Sequence, residues 1–282
     1  MNFKKILKPV YLRLNRIRLK MLDGFDFILG KKDTLVPPRS LIYIGDGDYK
    51  KIGIEFFNYF LEFGRLIPNH KVLDVGCGTG RMALPLINYL NNMGEYYGFD
   101  IVKEGIDWCN NNIQKKYSNF RFSHSNIYNK CYNPNGIESP SMYKFNFPNN
   151  FFDFVFLTSV FTHMLKEDIQ NYISETQRVL KNDGFCLFTF FIMNEESTNL
   201  IKQNKSSRNI NLQLDEFSSV LNKEVPEYAI GFDEKWLKGI LSENSLEIQN
   251  ILYGSWCGRT NFLSYQDIII LKKVEKKGII VS

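Results

Sequence analysis

At 282 residues, 44% hydrophobic and 23% charged, the chain has enough apolar material for a real core, which excludes a disordered or fibrous polymer. Its net charge of +5 is uneven: residues 1–22 hold seven basic side chains and no acid, so the remainder sums to about −2 and lacks the basic face of a general nucleic-acid binder. No apolar run approaches the ~20 residues of a membrane span, nothing reads as a secretion signal, and five cysteines without a CxxC pair argue against a disulfide framework or a zinc site and for a reducing, cytoplasmic setting.

In chain order, residues 1–22 read as a basic amphipathic helix. Phe3, Ile6, Leu7, Val10, Leu14, Ile17 and Met21 share one side at helical spacing. Pro9 kinks this helix or marks its true start. Two readings of it stand: packing on the domain, or a peripheral seat on the anionic inner face of a membrane. Residues 23–50, with "PPRS" and "GDGD", read as a linker or lid.

From residue 51 the pattern alternates. A helix over about 51–65 precedes strand 71–75, and a second helix follows over about 80–91. "EYYGFDI" is a strand, 103–116 a helix, "NFRFSHSNI" and "FFDFVFLTSV" strands, 166–180 a helix and "GFCLFTFFI" a strand. Strands separated by helices predict βαβ units and a mostly parallel sheet. "LEIQNILYGSWC" and "YQDIIILKK" have only a loop between them and predict an antiparallel pair at the sheet edge. Residues 127–149 and 194–235 exceed ordinary loop length and read as insertions in a domain spanning 51–282, the place for acceptor recognition.

"VLDVGCGTGR" sets Gly76, Gly78 and Gly80 at alternate positions after a buried strand. Strand, glycine loop and helix bring bare backbone to a ligand at the mouth of a parallel sheet. The spacing is one residue shorter than the dinucleotide fingerprint, and Asp74 stands two residues before the first glycine. A carboxylate there repels a pyrophosphate and suits an ammonium group. Asp100 ends the second strand 24 residues beyond Gly76, where ribose hydroxyls need an acceptor.

"VLDVGCGTGR", "GFDI", "FDFVFLTSVFTHML" and "RVLKNDGFCLFTFF" together resemble the motifs of class I S-adenosylmethionine-dependent methyltransferases, from about residue 52 to the terminal strand pair. The resemblance implies an α/β, Rossmann-like fold: a seven-stranded sheet of order 3-2-1-4-5-7-6 with strand 7 antiparallel. It implies S-adenosyl-L-methionine as cofactor, with Asp74 and the loop Gly76, Cys77, Gly78, Thr79 and Gly80 on the methionine part. It puts Asp100 on the ribose, Ile101 on the adenine, and Asn126, with Ile127 beside it, where many members carry an acid for the adenine amino group. Ser159, past the fourth strand, belongs with the same site.

Methyl transfer is an in-line displacement, so alignment carries much of the catalysis, and a hydroxyl acceptor also needs a base. His163 in "SVFTHM" stands where the base would, or is a structural neighbour of the cofactor. Ser159 and Thr162 orient substrate or cap the helix that follows. Trp256, Arg259 and Tyr265 in "YGSWCGRTNFLSYQD" line the acceptor pocket or pack a turn. His70, His124 and Asp153 read as structural, and Glu195 and Glu196 complete no acid triad, so no metal is expected. The tail and the "LVPPRSLIYIGDGDYKKIG" segment resemble small-molecule methyltransferases that act beside glycan-building enzymes. The expected function is methyl transfer to a hydroxyl of a small molecule or glycan; an amine acceptor, a non-catalytic cofactor-fold protein and a nicotinamide enzyme are the competing readings.

Overall fold

The computed structural model describes residues 18–19, 21–24, 33–42 and 47–275. Of the basic helix expected over 1–22, only Arg18, Leu19, Met21 and Leu22 fall within these residues, and they are helical; the rest lies outside them. Asp23 accepts from the amides of Arg39 and Ser40 and from the Ser40 hydroxyl, so the later part of the 33–42 segment is tied to the helical residues 21–24.

Helix α1 (Tyr49–Glu62) begins where the Asp48 side chain accepts from the Lys51 amide. Strand β1 (Lys71–Val75) runs into the glycine loop, followed by α2 (Ala83–Leu86), β2 (Glu95–Asp100), α3 (Lys103–Cys109) and β3 (Phe120–His124). Then come β4 (Phe152–Leu157), α4 (Lys166–Val179) and β5 (Leu180–Phe190). The sheet closes with β10 (Leu246–Leu252) and β11 (Asp267–Lys273), giving the order 3-2-1-4-5-11-10. Strands β1 to β5 pair in parallel, and β11 pairs antiparallel with both β5 and β10. The fold and the edge pair are those the sequence predicts.

The strands are near-continuous apolar runs because both faces are covered. Alternate residues serve two cores: Leu73, Val155, Phe188 and Ile269 face one, Val72, Phe154, Leu187 and Ile268 the other. The first core takes Ile169, Tyr172 and Ile173 from α4, the second Phe56 and Phe60 from α1.

Two expectations change. The helix expected over 80–91 is regular only over Ala83–Leu86; Pro85 within it has no N–H to donate to the Arg81 carbonyl. Residues 194–235 hold more than polar helix. After α5 (Glu195–Lys202), strands β7 (Leu212–Gln213), β8 (Ser218–Val220) and β9 (Ile230–Asp233) join β6 (Ile192–Met193) in a second sheet of order 6-9-8-7. Helix α6 (Glu234–Glu243) follows it. Within 127–149, regular structure is limited to one short 3-10 turn at Pro140–Met142 and isolated bridges.

Candidate active site

The strand order reverses between β1 and β4, which opens a crevice outside their carboxyl ends. Two adjoining cavities occupy it and share Gly76, Thr158 and Ser159.

The smaller cavity is walled by Asp74, the glycine loop and Ile42. Gly76, Gly78 and Gly80 have φ of +80°, +54° and +80°, a region open to glycine at no steric cost. At Gly76 a Cβ would also lie 2.4 Å from a Val160 methyl. The Tyr49 hydroxyl of α1 donates to the Thr79 carbonyl at 2.7 Å and steadies the loop from outside.

Asp74 is fully buried. Its Oδ2 accepts from the Tyr96 hydroxyl at 2.6 Å, and its Oδ1 has no partner. Burial pushes its carboxyl up to about 8, against the Tyr96 hydrogen bond and with help from the Asp100 charge. A buried carboxyl in this state is stabilised by a cation in the crevice beside it, and an amino-acid ammonium meets that need.

Asp100 closes β2 at the wall of the larger cavity. One of its oxygens accepts from the Gly78 amide at 2.7 Å and the other from the Val102 amide at 2.8 Å. Two backbone donors fix its direction, and a carboxylate is an acceptor suited to ribose hydroxyls. Ile101 and Ile127 line the same cavity and give an adenine its apolar faces. These features fit an adenosyl amino acid: Asp100 would hold the sugar, Ile101 and Ile127 the base, Asp74 and the loop the amino-acid end.

Ser159 stands where the cavities meet, with φ of +58°, a strained backbone for a non-glycine residue. Its amide donates to Thr189 Oγ1 at 2.7 Å and its hydroxyl to Gln266 Oε1 at 3.1 Å. His163 lies on the wall of the larger cavity. Its Nδ1 is 2.8 Å from the Glu227 carbonyl, which only accepts, so Nδ1 carries the proton and Nε2 the lone pair. Nε2 is 3.5 Å from the Tyr132 hydroxyl. Burial depresses the His163 pKa below 6.5 and keeps the ring neutral at pH 7.

Other predicted site residues lie elsewhere. Asn126 is not on the cavity wall; its amide oxygen accepts from Asn133 and is turned into the insertion. Thr162 is fully buried beneath the turn, with its hydroxyl unpaired. Trp256 is fully buried and donates to Asp267, and Arg259 is paired with Asp267 and Glu196. They hold the loop before β11 and do not reach the cavities. Tyr265 is 42% exposed, with its hydroxyl beside Ser207 and Arg208.

Sequence reasoning misses Tyr132, Asp168 and Ile42. Tyr132 comes from the 127–149 insertion, and burial pushes its hydroxyl up to about 12. Asp168, in the first turn of α4, is raised to about 6, again mainly by burial. No motif marks them; the general signal was an aromatic-rich insertion of unusual length. Among the described residues no three His, Cys, Asp or Glu side chains gather as a metal site.

A family model described as a methyltransferase domain matches residues 67–242. The chain belongs to this methyltransferase family. It is 32% identical over 66 residues to the probable cobalt-precorrin-6B C(15)-methyltransferase (decarboxylating) of Thermoplasma acidophilum, covering 23% of this chain and 33% of that protein. It is 29% identical over 121 residues to the tRNA N(3)-cytidine methyltransferase of Gallus gallus, covering 42% of this chain and 30% of that one. The chain thus spans about a third of the length of the curated relatives it matches. The crystal structure of a SAM-dependent methyltransferase from Methanosarcina mazei shares the fold, with a TM-score of 0.51 and 22% identity over 78% of this chain and 96% of that one. The crystal structure of a magnesium protoporphyrin IX methyltransferase from Synechocystis PCC 6803 with bound SAH also shares the fold, with a TM-score of 0.50 and 18% identity over 81% of this chain and 90% of that one.

Proposed function

We propose that this methyltransferase acts on a hydroxyl of a small molecule or glycan, with His163 as general base. The observation that carries the reading is the His163 tautomer. The Glu227 carbonyl accepts from Nδ1–H, burial keeps the ring neutral, and Nε2, 3.5 Å from the Tyr132 hydroxyl, is the acceptor at the cavity wall. A hydroxyl must lose its proton as it gains a methyl group, and a neutral imidazole does this at pH 7. When bound, S-adenosylmethionine supplies a methyl group already activated on a sulfonium. The chain's part is to align it: Asp100 and the glycine loop fix the two ends, and Ser159 fixes the point between them.

His163→Gln tests the base. It is expected to lower kcat by about 10²–10⁴ with little change in S-adenosylhomocysteine affinity. In the wild type kcat/KM falls with acid as His163 protonates, through a pKa below 6.5. That limb disappears in the variant. An unchanged rate and an unchanged limb would remove His163 from the chemistry.

Among the described residues no helix is long and apolar enough to cross a membrane. The seven basic residues and apolar stripe of residues 1–22 support a cytoplasmic seat on an anionic bilayer surface. Co-sedimentation with anionic vesicles is expected for the full chain and lost without residues 1–22; equal pelleting of both refutes it.

A further inference from the structure

The insertion between β5 and α6 carries Arg208, which lines neither cavity and sits beside Tyr265. Arg208 Nε donates to the Tyr265 hydroxyl at 3.3 Å, and that hydroxyl is held in turn by Ser207 Oγ at 3.0 Å. Tyr265 is set by an edge-on contact with Phe191, and the next residue, Gln266, accepts from Ser159 at the junction of the two cavities. A chain of contacts therefore runs from the methyl-transfer point to Arg208. From the other side, the Arg208 charge bears on both His163 and Tyr132.

Arg121, Arg178 and Arg259 each pair with a carboxylate. Arg208 meets none among the described residues; its side-chain partner is the neutral Tyr265 hydroxyl, on Nε. The two terminal nitrogens of its fork remain for a ligand, a planar pair that matches an oxyanion.

We infer that Arg208 binds an oxyanion on the acceptor, so that the substrate is a hydroxylated small molecule bearing a carboxylate or phosphate. This deepens the reading of the larger cavity as the acceptor site with His163 as base, and it rests on that reading. With the anion on Arg208, the rest of the acceptor extends toward His163 and Ser159.

The test titrates inorganic phosphate into the enzyme loaded with S-adenosylhomocysteine and follows the melting temperature, for the wild type, Arg208→Gln and Arg208→Lys. Phosphate is expected to raise the wild-type Tm saturably. Arg208→Gln lowers phosphate affinity at least tenfold, Arg208→Lys recovers part of it, and all three bind S-adenosylhomocysteine alike. No saturable response in the wild type, or an equal response in Arg208→Gln, overturns the assignment. His163→Gln separates the two readings: it leaves the phosphate response intact, so failure of the base and failure of the anchor give different results.

Discussion

In the proposed binding mode, Asp74 is the residue on which the cofactor's amino-acid end exerts the most leverage. Its carboxyl holds a proton up to about pH 8 because burial penalises the charged form. An ammonium bound beside it favours the ionised form, so binding expels that proton. Affinity for S-adenosylhomocysteine is therefore expected to rise with pH, at most about tenfold per unit, between about pH 6 and 8. Calorimetry in buffers of different ionisation heat reads the released proton; a flat profile without release contradicts the assignment. The stability sign follows from the same group. A folded pKa above the unfolded one means that Asp74 weakens the fold progressively as pH rises from about 4 to 8. Asp74→Asn should therefore gain on the wild type in Tm over that range while binding cofactor more weakly. Asp74, Gly76 and Asp100 were legible in the sequence because a strand end fixes where they point. Asn126 was not, because the insertion that follows it turns its amide toward Asn133.

At the scale of elements, the loop between β10 and β11 hangs on Asp267. One of its oxygens accepts from the Gly254 amide and Arg259, the other from the Ile192 amide and Trp256 Nε1. Arg259 then reaches Glu196 on α5, so a single carboxylate ties the strand pair to the second sheet. Asp267→Ala leaves Arg259, whose side chain is 3% exposed, partly uncompensated. The expected loss is about 3–5 kcal/mol in urea unfolding; a loss under about 1 kcal/mol would show that the network is dispensable. A polar-aromatic stretch reads alike whether it lines a pocket or builds such a network, because both use the same residue types. The second sheet was illegible for another reason: its strands have two to four residues, too few to show a period. The strand pair β10–β11 was legible because each strand carries seven residues and no helix separates them.

For the whole molecule, two cores on opposite faces hold a rigid sheet, and the site is built where that sheet changes direction. Its parts arrive from distant stretches of chain: Asp74 and Asp100 from strand ends, Tyr132 from one insertion, and Glu227, which holds His163, from the other. The parallel units, the edge pair and the glycine loop followed from alternation and spacing, and the sheet order from the family resemblance; the particular side chains that the insertions contribute, such as Tyr132, did not. The central claim is that the cofactor's ribose rests on Asp100. Calorimetric titration of S-adenosylhomocysteine into the wild type and Asp100→Ala, with melting curves to confirm folding, tests it most directly. The account predicts that a folded Asp100→Ala binds about a hundredfold more weakly, the loss of two charge-assisted hydrogen bonds; equal affinity in the two proteins would contradict it.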